Sequence, residues 1–397
     1  MFESISPAPP DAILGLSEAF KADPNPIKIN LGVGVYKNEL GETPVLSAVK
    51  KAEALLLEKE TSKSYLPISG SAAYAAGVQD LLLGNSHPLV HAGRIASAQT
   101  PGGTGGLRVG ADFLKKFREK ASVWVSSPTW ANHPAIFKAA GFSMKEYPYY
   151  DKANQALDFD GLLETLATIP GGDIVLLHVC CHNPTGIDPS PEQWQKIADV
   201  AEVAGWFPFF DFAYQGFGTS VEADRYPLEL FAEKEIEFGV AASFSKNVGL
   251  YNERTGSFSI SGSSKEVVQA AFSHIKTSIR SNYSNPPRHG GAIVEEILAD
   301  PELRREWLGE LDEMRERIKS LRSELVSGLS SRGIKKDFRF IEEQNGMFSF
   351  SGLSAEQVKT LKEDYSIYIV GSGRINVAGI NKQNLGPLCD AIAAVMG

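Results

Sequence analysis

Apolar positions along the chain fall into two alternating patterns. Short, continuously apolar runs at Val123–Val125, Ile174–His178, Phe207–Phe210 and Val240–Phe244 read as buried strands. Between them lie amphipathic stretches such as Glu192–Ala204 and Leu107–Phe117, whose apolar residues recur at helical spacing. Alternation of this kind predicts an α/β domain around a mostly parallel central sheet. Pro208 inside one run cannot donate to a ladder, so it is expected at a strand start or an irregularity. The longest helical pattern opens at Asp300-Pro301, an N-cap followed by proline at the first helical position. Leu303, Trp307, Leu311, Met314, Ile318, Leu321, Leu325 and Leu329 then recur every three or four residues, and Gly333 is placed to stop the helix. Such a helix is roughly 45–50 Å long and able to bridge two domains. From Phe338 to Gly397 the pattern reads as a smaller α+β unit.

A length of 397 residues fits two domains better than one core. The net charge of −9 argues against a nucleic-acid partner, which needs a basic surface. No apolar run is long enough for a bilayer, and the start, Met1-Phe-Glu-Ser, lacks the features of a secretory or transit signal; a cytoplasmic protein is expected. Three cysteines suggest no disulfide framework, with Cys180 and Cys181 read as buried thiols, and the histidines show no metal-ligand spacing.

The candidate chemistry sits just after the predicted strands, where open α/β sheets bind ligands. Lys246 in Ser243-Phe-Ser-Lys follows an apolar run, and burial favours the neutral amine that condenses with a carbonyl. Arg254 lies eight positions on, able to clamp a phosphate. Gln99-Thr-Pro-Gly-Gly-Thr-Gly-Gly106 precedes a helix and could cradle an anion; it matches neither a Walker loop nor Gly-x-Gly-x-x-Gly. Asp211 ends an aromatic strand and needs a cationic partner, which a protonated pyridine nitrogen would be. Asn183, held extended before Pro184, can aim its amide at a ligand. Arg280 and Arg374 stand among small turn-forming residues and suggest two carboxylates. Each signal has a plain alternative: a surface lysine, a glycine turn, a capping aspartate, an Asn-Pro turn, surface ion pairs. Together they assemble a pyridoxal-phosphate (PLP) site for an amino acid.

The sequence strongly resembles the aspartate aminotransferases, in the subgroup shared with aromatic amino-acid aminotransferases. The resemblance runs over essentially the whole chain, through Ile29–Tyr36, Thr100–Arg108, Pro128–His133, Cys180–Gly186, Asp211–Gly216, Ser243–Arg254, Asn282–Pro286, Asn345–Gly352 and Ser372–Gly379. It implies the fold type I of PLP-dependent transferases, with a large domain over 44–313 and a small one from 1–43 and 314–397. It implies that Lys246 holds PLP covalently and moves the substrate proton, and that Asp211, backed by His133, pairs with the pyridine nitrogen. Asn183 and Tyr214 are then expected on the phenolic oxygen and Trp130 over the ring. Gly103, Thr104, Ser243, Ser245 and Arg254 match the phosphate-binding positions. Arg374, helped by Gly34, Trp130 and Asn183, matches the holder of the α-carboxylate.

The same resemblance implies a homodimer with shared active sites. Tyr65 matches a residue reaching the neighbouring subunit's phosphate, Arg280 one that crosses over to the side-chain carboxylate, and the Pro-rich start an arm on the partner. Val35, Lys37, Thr43, Thr104 and Asn285 look aspartate-specific; Ser64 departs from the usual asparagine. Tyr65-Leu-Pro and Thr129–Phe137 look more like the aromatic enzymes, so the alternative is a dual dicarboxylic and aromatic specificity. Two further rivals are another PLP reaction on the same fold, such as a lyase or decarboxylase, and a non-catalytic sensor.

Overall fold

Seven strands form the central sheet: β1 Ile95–Pro101, β2 Ser122–Ser127, β3 Ser143–Pro148, β4 Ile174–His178, β5 Phe207–Phe212, β6 Gly239–Ser243 and β7 Thr255–Ser261. Their order in this computed structural model is β1-β7-β6-β5-β4-β2-β3, and only β7 runs antiparallel to its neighbours. Every residue of β4, β5 and β6 is buried. That explains why these strands read as unbroken apolar runs, since a sheet covered on both faces has no polar side. Pro208 is the second residue of β5, opposite Val175.

Six helices of this region are used below: α1 Gly102–Phe117, α2 Asn132–Ala139, α3 Pro191–Ala204, α4 Lys265–Asn282, α5 Arg288–Ala299 and α6 Pro301–Ser330. At the start of α3 a capping box joins Ser190 and Gln193, and Gly205 closes the helix at φ +73° in the left-handed region that glycine occupies without penalty. Glycine also lets α1 lie directly on the sheet. A Cβ at Gly110 would come within 2.5 Å of Phe209 and 2.6 Å of Phe258. The same close approach corrects one expectation. The helix begins at Gly102, not after the glycine run, so those glycines form its first turns. Propensity disfavours them there, but a Cβ at Gly106 would stand 2.5 Å from the Ser257 carbonyl oxygen. Packing decides the matter.

The residues described are 2–7 and 12–397, and they fall into two compact units, Pro44–Glu316 and Met1–Thr43 with Arg317–Gly397. Most of the Pro-rich start, residues 8–10, lies outside the described residues. All eight apolar positions read as the buried stripe of α6 are buried. At its start the Asp300 carboxylate accepts from the backbone of Glu302 (2.8 Å) and Leu303 (3.1 Å), and at 30 residues it is about 45 Å long. In the smaller unit Ile29–Asn30 pairs in parallel with Ile367–Tyr368, and Phe348–Phe350 antiparallel with Arg374–Asn376. Helices Ala355–Tyr365 and Lys382–Met396 complete it. Cys180, Cys181 and Cys389 are buried thiols. Among the described residues no helix is long and apolar enough to cross a membrane.

Candidate active site

Strands β4, β5 and β6 deliver their chemistry at adjacent carboxyl ends, because parallel neighbours share a direction. Asp211 of β5 pairs in register with His178 of β4 on one side and Ala241 of β6 on the other. Sequence reasoning put Asp211 at the end of its strand; the strand continues to Phe212, so this carboxylate belongs to the ladder and is neither a cap nor a turn residue. His133 of α2 approaches from one side, its Nε2 3.0 Å from Asp211 Oδ2. An ionised carboxylate only accepts, so Nε2 carries the proton of this bond. The other ring nitrogen, Nδ1, is 2.8 Å from the Thr129 hydroxyl, which fixes the ring's orientation. Burial pushes the Asp211 carboxyl up, but the His133 hydrogen bond and the positive influence of His133, His178 and Lys246 outweigh it, leaving the carboxyl below its ordinary range. The site thus keeps a buried anion.

A run of four rings extends from this carboxylate. His133 and His178 lie with centroids 5.2 Å apart, and His178 and His182 4.4 Å apart. Tyr149 stacks on His182 at 3.8 Å. Burial first, and then the charge of His133, hold the His178 ring far below its usual range, at about 3, against an opposing pull from Asp211. It is therefore neutral at pH 7. Trp130 meets His133 edge-on, with centroids 5.2 Å apart. His178, Thr129 and Tyr149 were not singled out as site residues from sequence. Thr129 meets His133 only four positions on, but His178 meets His133 and Tyr149 meets His182 across more than thirty positions, and only the fold brings those pairs together.

Lys246 follows β6 and is half-buried, its Nζ 4.7 Å from the centre of the Tyr214 ring. Burial lowers its amine to about 8, helped by the Arg254 charge and resisted by Asp211. An amine so lowered is partly neutral near neutral pH and can act as nucleophile or base. The shift also has a consequence for stability. Between about 8 and its ordinary 10.5 the unfolded lysine holds a proton that the folded one has released. Stability of the enzyme stripped of anything bound to Lys246 should therefore rise with pH across that window, by on the order of 3 kcal/mol. Urea midpoints from pH 7 to 11 test this: Lys246→Met should flatten the rise, and parallel curves for the two proteins would contradict it.

Arg254 and the start of α1 form the next wall. Gly102 adopts φ +71°, and a Cβ there would sit 2.4 Å from Arg254 Nη2; one at Gly103 would sit 3.2 Å from the Ser243 side chain. Arg254 Nη1 donates to the Tyr251 carbonyl (3.1 Å) and to Ser245 Oγ (3.4 Å), while the Ser245 N–H donates to Ser243 Oγ at 3.2 Å. Guanidinium, two hydroxyls and the first-turn amides of Gly102, Gly103 and Thr104 make a cradle for an anion. The loop after β4 carries Asn183, which is buried. It is braced by Asp188, which accepts from the N–H of Cys181 (2.8 Å) and of His182 (2.9 Å).

Of four further expected site residues, Tyr65 and Arg280 belong to the larger unit and Gly34 and Arg374 to the smaller one. Tyr65 is 93% exposed, and Arg280 near the end of α4 is exposed, bonded to Ser284. In the smaller unit Arg374 Nη2 donates to the Gly32 carbonyl at 2.6 Å, and its guanidinium lies 4.2 Å from the centre of the Phe348 ring. Gly34 abuts the same ring: a Cβ there would be 2.7 Å from Phe348.

The profile of aminotransferase classes I and II matches residues 26–392. The chain belongs to that family. This aminotransferase is 52% identical to the aspartate aminotransferase of Escherichia coli over 396 residues, covering 100% of both chains. It is 44% identical to the aromatic-amino-acid aminotransferase of the same organism, again over 100% of both. Among solved structures, the aromatic-amino-acid aminotransferase of Burkholderia pseudomallei, covalently bound to pyridoxal phosphate, matches with a TM-score of 0.98 and 51% identity over 100% of both chains. Aminotransferase fold type I, with its mostly parallel sheet, is the architecture described above.

Proposed function

We propose that this aminotransferase uses pyridoxal phosphate to transfer the amino group of L-aspartate to 2-oxoglutarate, giving oxaloacetate and L-glutamate. The observation that carries the reading is one cluster in which a lysine amine lowered to about 8 faces a buried anionic carboxylate and a cationic anion cradle. The residues fit the cofactor group by group. Arg254, Ser243, Ser245, Gly103 and Thr104 suit its phosphate, Asp211 its protonated ring nitrogen, Asn183 and Tyr214 its phenolic oxygen, Trp130 its ring face, and Lys246 its carbonyl. When bound, pyridoxal phosphate supplies an electron-withdrawing ring that stabilises negative charge at the substrate Cα.

The chain's own part is holding and moving protons. Asp211, fixed by His133, keeps a negative charge where the ring nitrogen must stay protonated. Lys246 Nζ, freed as the amino acid enters, would take the proton from Cα and deliver it to the cofactor's former carbonyl carbon. Arg374, with Gly34, Trp130 and Asn183, takes the α-carboxylate. Arg280 takes the side-chain carboxylate of a neighbouring subunit's substrate and Tyr65 the phosphate of that subunit's cofactor, in a homodimer; the exposure of both residues supports this assignment. The preference for aspartate is supported by the higher identity to the Escherichia coli aspartate enzyme than to its aromatic counterpart. The match to the Burkholderia enzyme favours, as a second activity, slower turnover of phenylalanine and tyrosine. A cytoplasmic location belongs to the same proposal. Incubating the purified enzyme with aspartate and 2-oxoglutarate should yield oxaloacetate and glutamate one for one. Decarboxylated or deaminated products in their place would overturn the reading.

A further inference from the structure

The loop after β5 is fastened more firmly than a connection needs. The Asp224 carboxylate turns back over it, Oδ2 accepting the N–H of Gly216 (2.8 Å) and of Gly218 (3.0 Å), Oδ1 that of Thr219 (2.7 Å). Asp224 is buried, where an ionised carboxylate without partners is strongly disfavoured. Three backbone donors are what make it tolerable. Gln215, also buried, donates through Nε2 to the carbonyls of Leu81 (2.6 Å) and Val221 (2.9 Å). Arg315 Nη1 donates to the Gly216 carbonyl at 3.0 Å, and the Phe217 N–H bonds back to the Tyr214 carbonyl at 3.0 Å. Gly216 sits at φ +91°, with Leu311 2.3 Å from where a Cβ would be. The Cys180 thiol lies 3.5 Å from the Tyr214 carbonyl and 3.7 Å from Asp224 Oδ2. These contacts converge on the segment that carries the Tyr214 ring to Lys246 Nζ.

We propose that Asp224 is a positioning residue for the reaction: by gathering the amides of Gly216, Gly218 and Thr219 it fixes the loop so that Tyr214 faces Lys246. The inference rests on the roles given to Lys246 and Tyr214 under the proposed function. Asparagine at 224 has nearly the same shape but turns one acceptor into a donor that meets a backbone N–H, so the loop must shift.

A double-mutant cycle tests this on the holoenzyme, with two readouts. One is the apparent pKa of the lysine–cofactor linkage, titrated by absorbance; the other is kcat/KM. Asp224→Asn should move the pKa in the same direction as Tyr214→Phe and lower kcat/KM about tenfold. In the Tyr214→Phe background it should add less than about twofold, because its effect passes through the phenol. Gln215→Met loosens the same loop from the other side and should repeat the pattern, which keeps the test valid if Asp224→Asn does not fold. Equal effects of Asp224→Asn in both backgrounds, or a fall in kcat/KM with an unmoved pKa, would overturn the proposal. So would a Tyr214→Phe enzyme indistinguishable from wild type, which leaves the aminotransferase reading standing. Absence of amino transfer in the wild type refutes that reading instead, and the absorbance titration still decides the role of Asp224.

Discussion

Replacing Lys246 by alanine is expected to lower turnover of aspartate with 2-oxoglutarate by at least about 10⁴-fold, the upper range for losing a positioned proton-transfer group. The variant loses both functions of Nζ: its bond to the cofactor carbonyl and its transfer of the Cα proton. Nothing else in the cluster can substitute. His178 and His182 are buried rings held far below their usual range and are already engaged in packing against other rings. Tyr214 lies against Lys246 Nζ, but its hydroxyl is assigned to the cofactor's phenolic oxygen and not to the Cα proton. Binding should survive, because the cradle of Arg254, Ser243, Ser245 and the first turn of α1 is untouched. The variant should therefore retain pyridoxal phosphate through desalting, without the absorbance of a covalent linkage. Turnover within tenfold of wild type would refute the role of Lys246.

The second large effect is expected at Asp211. Asp211→Asn keeps the shape of the side chain but removes the charge, and with it the reason for a ring nitrogen to stay protonated. It also changes what His133 Nε2 meets, at 3.0 Å in the wild type. Losing one preorganised electrostatic partner of this kind costs about 10²–10³-fold in kcat, and that range is expected here with a smaller change in KM. Asp211→Glu, which keeps the charge in a displaced position, should recover part of the loss. Stopped-flow half-reactions with aspartate alone separate this from any effect on 2-oxoglutarate. An Asp211→Asn enzyme within about threefold of wild-type kcat would remove the electrostatic argument.

Much of this cluster could be read along the sequence, and the reason differs by residue. Strands β4, β5 and β6 were visible because a doubly covered sheet leaves no polar positions to blur the pattern. The stripe of α6 was visible for the opposite reason, since one face of a 30-residue helix repeats eight times. The start of α1 was misread, because glycine propensity argues for a loop where contact with Ser257 and Phe258 demands a helix without side chains. Asp224, His178 and Gln215 carried no local signal at all. Their partners are Gly216, Asp211 and Leu81, and only the folded register shows which carboxylate meets which amide. The role of Tyr65, and which carboxylate each of Arg280 and Arg374 takes, came from resemblance; the residues alone suggested only two arginines placed to bind carboxylates.

The choice of amino donor separates an aspartate enzyme from an aromatic one. Catalytic efficiency for aspartate, glutamate, tyrosine and phenylalanine, each with 2-oxoglutarate or oxaloacetate as acceptor, measures it directly. Aspartate should give the highest kcat/KM, with the aromatic substrates measurable but lower. An aromatic donor exceeding aspartate by more than about tenfold, roughly 1.4 kcal/mol in transition-state binding, would contradict it.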